Sequence, residues 1–276
     1  MRIIVLGSGR AAAALGPRWA AAGHEVVVRS RRDGPLDQAP SGDVIILAVP
    51  DGALADVALA LASRASAPNE VWLHLSGVHP AAVLRVADRP RAVGCLHPLV
   101  ALAAGGDPRA PLGDPTPMAG LEGEAEALTI AEPLARAAGL APHTIPADPH
   151  GRALSPAAAV SVAGHATALF AQAMELLGAI GFAPEEARDA LLPLFRSAAA
   201  NLGRGLPPEV ITGPATRGDA ATIARHLEAL GRGDVAITYR ALARTALALS
   251  SARLSPEVAA GVRALVGPSS GSLEGS

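Results

Sequence analysis

The chain has no lysine: all 23 of its basic side chains are arginines. No mechanism needing a lysine general acid, Schiff base or phosphate-binding ammonium can therefore run on this chain alone. The plainest reading of that absence, and of the excess of Ala, Gly and Pro, is codon bias of a GC-rich genome. The single cysteine, Cys95, excludes an internal disulfide and fits a reducing cytoplasm. Aromatic residues make up only 2 % of the chain, which favours helix-rich α/β structure over an all-β sandwich. A formal charge of −2 and the lack of a basic, aromatic-bearing stripe argue against nucleic-acid binding. The 8 histidines show no metal-ligand spacing, so no metal is expected. No signal peptide is expected, because the first apolar run is a short strand ended by glycine. The longest apolar stretch, Ala157 to Ala183, contains His165, Gln172 and Glu175. It reads as a buried helix rather than a membrane span, so no membrane partner is expected.

What is present begins with Arg2-Ile-Ile-Val-Leu followed by Gly7-Ser8-Gly9-Arg10-Ala11-Ala12. An apolar strand running into a glycine turn and an Ala-rich helix is the opening of a dinucleotide-binding unit. Gly7 permits the tight turn, Gly9 lets the backbone approach a pyrophosphate, and Ala12 keeps the helix near the sheet. A helix over Ala11 to Ala22 and a second strand, Glu25 to Arg29, follow at the required distance. Further strands are expected at Asp43 to Val49, Val71 to Leu75 and Ala92 to Leu96, with helices at Ala53 to Ser63 and Ala81 to Ala87. Residues 99–117 read as a loop, followed by a helix at Glu122 to Ala138 and a strand at Pro142 to Pro146. This alternation predicts a parallel, doubly wound sheet. From Ser155 strand signals vanish, and helices are expected at Ala157 to Leu177, Pro184 to Leu202, Ala220 to Leu230, Val235 to Ser250 and Pro256 to Val266. The expected organisation is α/β: a dinucleotide-binding domain over residues 1–148, an all-α domain over 149–268, and a flexible Gly/Ser tail over 269–276.

The second strand ends in Arg29-Ser30-Arg31-Arg32, with no acidic residue until Asp33. An NAD site places a carboxylate here for the ribose 2′-hydroxyl, whereas arginines and a hydroxyl suit the 2′-phosphate of NADP. Ser30, Arg31 and Arg32 therefore point to NADP(H), unless the arginines only solvate a loop. Ligands of such sheets bind at the carboxyl ends of the strands, which directs attention to Ala48-Val49-Pro50, Ser76 and His97. Ser76 is either a partner for a nicotinamide amide or substrate oxygen, or a turn cap. His97 is either a proton-transfer group facing the cofactor or a loop histidine bonded to backbone. In the helical half, Thr212-Gly-Pro-Ala-Thr-Arg217-Gly-Asp219 precedes His226. Arg217 on a glycine-flanked turn suits a bidentate clamp on a substrate carboxylate, and Asp219 suits a helix N-cap. His165 reads first as a core histidine and Asn201 as a helix-end residue.

These residues together resemble a family that pairs a Rossmann-like NADP-type domain with the helical domain of unknown function 2520. The resemblance rests on Gly7-x-Gly9-x-x-Ala12, Ala48-Val-Pro-Asp51, His74-x-Ser76-Gly77, His97-Pro-Leu99, Ala157-Ala-Ala-Val160, Asn201, and above all the Thr212 to Leu227 run. It implies an architecture like that of the β-hydroxyacid dehydrogenases and pyrroline-carboxylate reductases, a homodimer formed through the helical domain, and His97, His165, Arg217, Asp219, His226, Ser76 and Asn201 as site residues. Where the family carries Tyr-His and Asn-His around its Ala-Ala-Ala-Val run, this chain has Ser155-Pro156 and Gly164-His165. The expected function is NADPH-dependent hydride transfer to or from a small carbonyl, imine or hydroxy acid without a catalytic lysine. The alternatives are an NADP(H)-binding sensor without turnover and an enzyme of the prephenate dehydrogenase type.

Overall fold

The computed structural model describes residues 1–64, 69–86, 92–102, 105, 107–146 and 148–267; the expected tail at 269–276 and the end of the expected Ala81 to Ala87 helix lie outside them. The chain divides into two compact units, Met1–Ala166 and Thr167 onward.

The first unit is built on seven strands: β1 (Arg2–Leu6), β2 (Glu25–Arg29), β3 (Val44–Leu47), β4 (Val71–His74), β5 (Val93–Pro98), β6 (Met118–Gly123) and β7 (Ala141–Thr144). Their order across the sheet is β2-β1-β3-β4-β5-β6-β7. Strands β1 to β5 run parallel, and the buried residues of β1, β3 and β4 are near-continuous apolar runs because both sheet faces are covered. Ile3, Val5, Val44, Ile46 and Leu73 point to one face, against α1 (Arg10–Ala21) and α3 (Ala125–Ala137). Ile4, Leu6, Ile45, Leu47 and Trp72 point to the other, against α2 (Leu54–Ala62) and the 3-10 turn Ala81–Leu84. Helices on both faces make the sheet doubly wound, as its sequence predicts.

One strand differs. The sheet expected to be parallel throughout reverses at β6, which pairs antiparallel to β5 and parallel to β7. Met118-Ala-Gly-Leu-Glu-Gly123 carries no β-branched residue, so propensity alone reads it as loop and helix start. Its glycines fit the ladder rather than a helix. At Gly123 φ is +148°, and an added Cβ would lie 2.6 Å from both Gly94 Cα and the Val93 carbonyl oxygen.

Helix α4 (Pro149–Val162) is capped by the Asp148 carboxylate, which accepts from Gly151 N–H at 2.7 Å, and α5 (Gly164–Gly178) follows after a single non-helical residue. Here the expectation of a buried helix is corrected. Arg152 is the only buried residue of α4, and α5 has none. By length and composition Pro149–Gly178 is long and apolar enough to cross a membrane.

The second unit contains most of α5, then α6 (Pro184–Leu202), α7 (Pro207–Val210), α8 (Pro214–Arg217), α9 (Ala220–Leu230), α10 (Asp234–Ser250) and α11 (Pro256–Val266). Its core gathers Ala215, Ile223, Leu227, Leu247 and Val262 from α8 to α11. Helices α5 and α6 meet edge-to-face through Phe170 and Phe195, yet Ala187 is the only buried residue of α6.

Candidate active site

The glycine turn is held from within the sheet unit. Gly7 sits at φ +127°, donates its N–H to the Arg29 carbonyl at 2.8 Å, and lies so close to Ala48 that a Cβ would collide with its carbonyl. That contact joins the turn to the carboxyl end of β3. Gly9 differs in kind. Its backbone (φ −75°, ψ −176°) is open to any residue, and a Cβ there would meet nothing within 4 Å. No contact within the protein requires glycine at this point; a ligand lying on the backbone would. Gly9 is also the N-cap of α1 without a side-chain cap, and the first turn carries no acid, so its amides remain free to meet an anion. Ser8 and Arg10 are exposed and Ala11 is half-buried, while Ala12 is 2 % exposed against the sheet. The residues present fit a dinucleotide pyrophosphate.

At the end of β2, Ser30 begins a 3-10 turn over Arg31–Asp33. Asp33 accepts from the Ser30 backbone N–H at 2.6 Å and from its hydroxyl at 2.8 Å, and the Ser30 hydroxyl accepts from Arg32 N–H at 3.2 Å. These bonds, the backbone one foremost, hold the Asp33 carboxyl below the usual range. Arg29 is tied to the carbonyls of Gln38 and Asp33. Arg31 and Arg32 are exposed, and neither guanidinium bonds another described residue. The turn thus leaves two guanidinium groups unengaged beside the end of β2.

The carboxyl ends of β3, β4 and β5 bring Val49-Pro50-Asp51, Ser76-Gly77 and His97 together. His74, fully buried, accepts from Ser76 N–H at Nδ1 (3.2 Å) and places Nε2 3.2 Å from the Pro80 carbonyl. Burial lowers its pKa to about 4, so it is a neutral structural pin. The Ser76 hydroxyl accepts from the backbone N–H groups of Val78 and His79, each at 3.2 Å. It caps the turn and retains its own proton to donate. His97 lies on Gly77: a Cβ added there would be 2.8 Å from both ring nitrogens. Its Nδ1 is buried with no partner, and burial lowers its pKa against the opposing pull of Asp51.

Sequence reasoning misses the group beneath these turns. Glu122 on β6 accepts from Ala81 N–H at 2.9 Å and pairs at 3.5 Å with Arg152 of α4, whose side chain is 9 % exposed. Cys95 donates to the Ser76 carbonyl at 3.1 Å, and burial pushes its thiol pKa up. Only an Asp-Pro helix start and a strand at β6, neither of them expected from the sequence pattern, would have exposed Arg152 and Glu122.

Within the helical unit, Asp219 caps α9, accepting from Thr222 N–H at 3.0 Å and from its hydroxyl at 2.7 Å. Those bonds, with Arg217 and Arg225 nearby, lower its pKa. Arg217 is the exposed last residue of α8, which is closed by Gly218 at φ +71° packed on Val258. His226 Nδ1 is 2.8 Å from the Tyr239 hydroxyl, and both line a cavity of about 700 Å³ together with Thr212, Gly213 and Pro214. Of the expected Thr212 to His226 run, Thr212 to Ala215 and His226 line this apolar cavity, whereas Arg217 and Asp219 do not. Asn201, at the end of α6, accepts from Arg204 at 3.2 Å. His165 is exposed on α5, against the expectation of a core position, because that helix buries none of its side chains. No group of three or more His, Cys, Asp or Glu is placed to hold a metal ion among the described residues.

Residues 117–246 match the sequence profile of the Domain of unknown function (DUF2520). No curated protein sequence matches the chain. Among solved structures, the chain is similar to a candidate NADP oxidoreductase from Bacteroides fragilis, at 21% identity over 91% of this chain and 96% of that one, with a TM-score of 0.67. A Thermotoga maritima protein matches at 16% identity, 91% and 99% coverage and a TM-score of 0.68. Plasmodium falciparum pyrroline carboxylate reductase, solved with NADP bound, matches at 11% identity, 97% and 98% coverage and a TM-score of 0.53. At these identities the likeness is one of fold.

Proposed function

We propose, from the match of residues 117–246 to the Domain of unknown function (DUF2520), that the chain is an NADP(H)-dependent oxidoreductase acting on a small carbonyl, imine or hydroxy acid. Gly9 carries the reading: a glycine with ordinary backbone angles and empty space over its Cα, at the uncapped start of α1. Ser8, Arg10 and Ala11 would line the pyrophosphate with it, and Ala48, Val49 and Pro50 would border the nicotinamide ribose. Arg31 and Arg32 would hold the 2′-phosphate beside Ser30, supplying the charge that distinguishes NADP(H) from NAD(H). When bound, the nicotinamide supplies or takes up a hydride. The protein contributes the Ser76 hydroxyl proton and the His97 imidazole at the carboxyl ends of β4 and β5. In the helical unit, Arg217 is the proposed anchor for a substrate carboxylate, on a turn braced by Asp219. His226 is the proposed polar group of the apolar cavity, with His165 and Asn201 as further candidates. A buried, protonated Cys95 is compatible with a cytoplasmic setting.

A second reading, cofactor binding without turnover, draws support from Ser155-Pro156 and Gly164, which replace family side chains able to move protons. Both readings propose a homodimer. Ile180, Leu194, Phe195 and Leu202 on and around the α5–α6 pair are exposed apolar side chains, the kind of surface that a second copy carrying the same patch would cover. The test is titration of NADPH and NADH into the native chain and the Arg31→Ala variant. The variant should lose about tenfold or more in NADPH affinity and keep its NADH affinity; unchanged NADPH affinity refutes the assignment. NADPH oxidation with a panel of 2-oxo acids and cyclic imines then separates enzyme from sensor.

A further inference from the structure

We propose that His97 is a fixed hydrogen-bond donor through Nε2–H, positioned by Gly77, and that the substrate therefore presents a carbonyl oxygen to it. This rests on the oxidoreductase reading and selects among its three substrate classes.

The geometry leaves the two ring nitrogens unequal. The imidazole lies against the Cα of Gly77, where any side chain would occupy the ring's own space: the nearest approach of an added Cβ is 2.5 Å, to Cε1. Nδ1 is buried against this surface with no hydrogen-bond partner. His97 as a whole is half-buried, and Nε2 is not among the buried, unpartnered atoms. A neutral imidazole carries one N–H and one lone pair. A buried N–H without an acceptor is the rarer and costlier orphan, whereas a lone pair is better tolerated. The proton thus belongs on Nε2, which meets water or a ligand. Adding a second proton would place an unpaired N–H and a charge on Nδ1 at once. Asp51, in the turn after β3, favours that charge, and desolvation outweighs it for His97.

A donor that neither gains nor loses its proton readily selects its ligand. It matches a carbonyl oxygen and strengthens its hold as negative charge grows there, while hydride from NADPH reaches the carbonyl carbon and the resulting alkoxide takes its proton from water. It opposes a protonated imine, whose N–H would face another N–H. It offers no basic lone pair to a substrate hydroxyl. Gly77 is then a positioning residue, and its replacement displaces the ring rather than removing a contact with the ligand.

Histidine-labelled ¹⁵N protein tests this without knowledge of the substrate. The long-range ¹H–¹⁵N pattern of His97, assigned by its loss in His97→Gln, should be that of the neutral Nε2–H tautomer from pH 8 to below the ordinary imidazole value of about 6.5. In Gly77→Ala the same signal should titrate nearer the ordinary value of about 6.5. An Nδ1–H tautomer or an imidazolium in the native protein at pH 7 overturns the proposal, whatever the variant does. With an active 2-oxo acid, His97→Gln, which keeps a donor, should stay within about tenfold of native turnover, and His97→Ala should lose about a hundredfold or more. Equal losses overturn the donor role. NADPH affinity measured on the same samples is a separate readout: its absence refutes the oxidoreductase reading, while the tautomer pattern judges His97 alone.

Discussion

Acid should destabilise the sheet unit through one buried imidazole. His74 has no exposed surface and is bonded at both nitrogens, to Ser76 N–H and the Pro80 carbonyl. Burial brings its pKa from 6.5 to about 4, with the Pro80 carbonyl pulling the other way. The folded-state value is depressed, so the unfolded chain binds this proton first as pH falls. Stability is complete above about pH 6.5 and declines as pH drops towards 4. Each pKa unit is worth about 1.4 kcal/mol, so the loss between pH 7 and pH 4 comes to about 3 kcal/mol for this group. The chain's 2 tryptophans, Trp19 and Trp72, both lie fully buried in the sheet unit, so urea unfolding followed by their fluorescence reports on it alone. His74→Gln cannot titrate. The stability difference between native protein and variant should shrink by about 3 kcal/mol from pH 7 to pH 4, while exposed carboxylates such as Asp33 and Asp148 cancel in the comparison. Parallel pH curves would refute the claim that His74 is held neutral.

Two further outcomes follow from packing. Light scattering should give twice the 27.6 kDa chain mass at micromolar concentration, and Leu194→Glu with Leu202→Glu should halve it; a native monomer would refute the homodimer. Glu70 is buried against Arg64 and accepts from Trp72 Nε1 at 2.9 Å and Gly42 N–H at 3.2 Å. Glu70→Gln leaves a buried guanidinium short of its charge partner, and should cost about 3–5 kcal/mol in the tryptophan-monitored transition; a loss under about 1 kcal/mol would show that the pair contributes little.

The turn from β1 into α1 was legible because three independent signals agree there: a β-branched run, glycines at fixed offsets and an alanine against the sheet. Helices α9 and α11 were legible to the residue, since Asp219 and Ser255 are caps that sequence announces. Strand β6 was not, because its stability comes from pairing with β5 and not from its own composition. The start of α4 was readable in Asp148-Pro149, a cap followed by an N1 proline, but the apolar periodicity that follows begins later and drew attention away from it. The site was half legible. Ser76, Gly77 and His97 could be placed at strand ends, but that the glycine is the bed of the imidazole is a contact between neighbouring strands that no spacing encodes.

The missing lysines take on a sharper meaning beside the arginines. Several arginines here engage carbonyl oxygens: Arg64 reaches Pro40 at 3.0 Å, Arg29 reaches Gln38 at 2.8 Å, and Arg244 reaches Val266 at 2.6 Å. A compact ammonium could not serve several such acceptors in one plane. Arg31, Arg32 and Arg217 lack any such partner, and the backbone beneath each is pinned, by the Ser30–Asp33 bonds in one case and by Gly218 against Val258 in the other. An ordinary solvated arginine gains nothing from a fixed base. A guanidinium that must meet a phosphate or a carboxylate in two-pronged geometry does, because orientation settled in advance reduces the entropy lost on binding. On this reasoning Arg31, Arg32 and Arg217 are the arginines we propose for anion recognition.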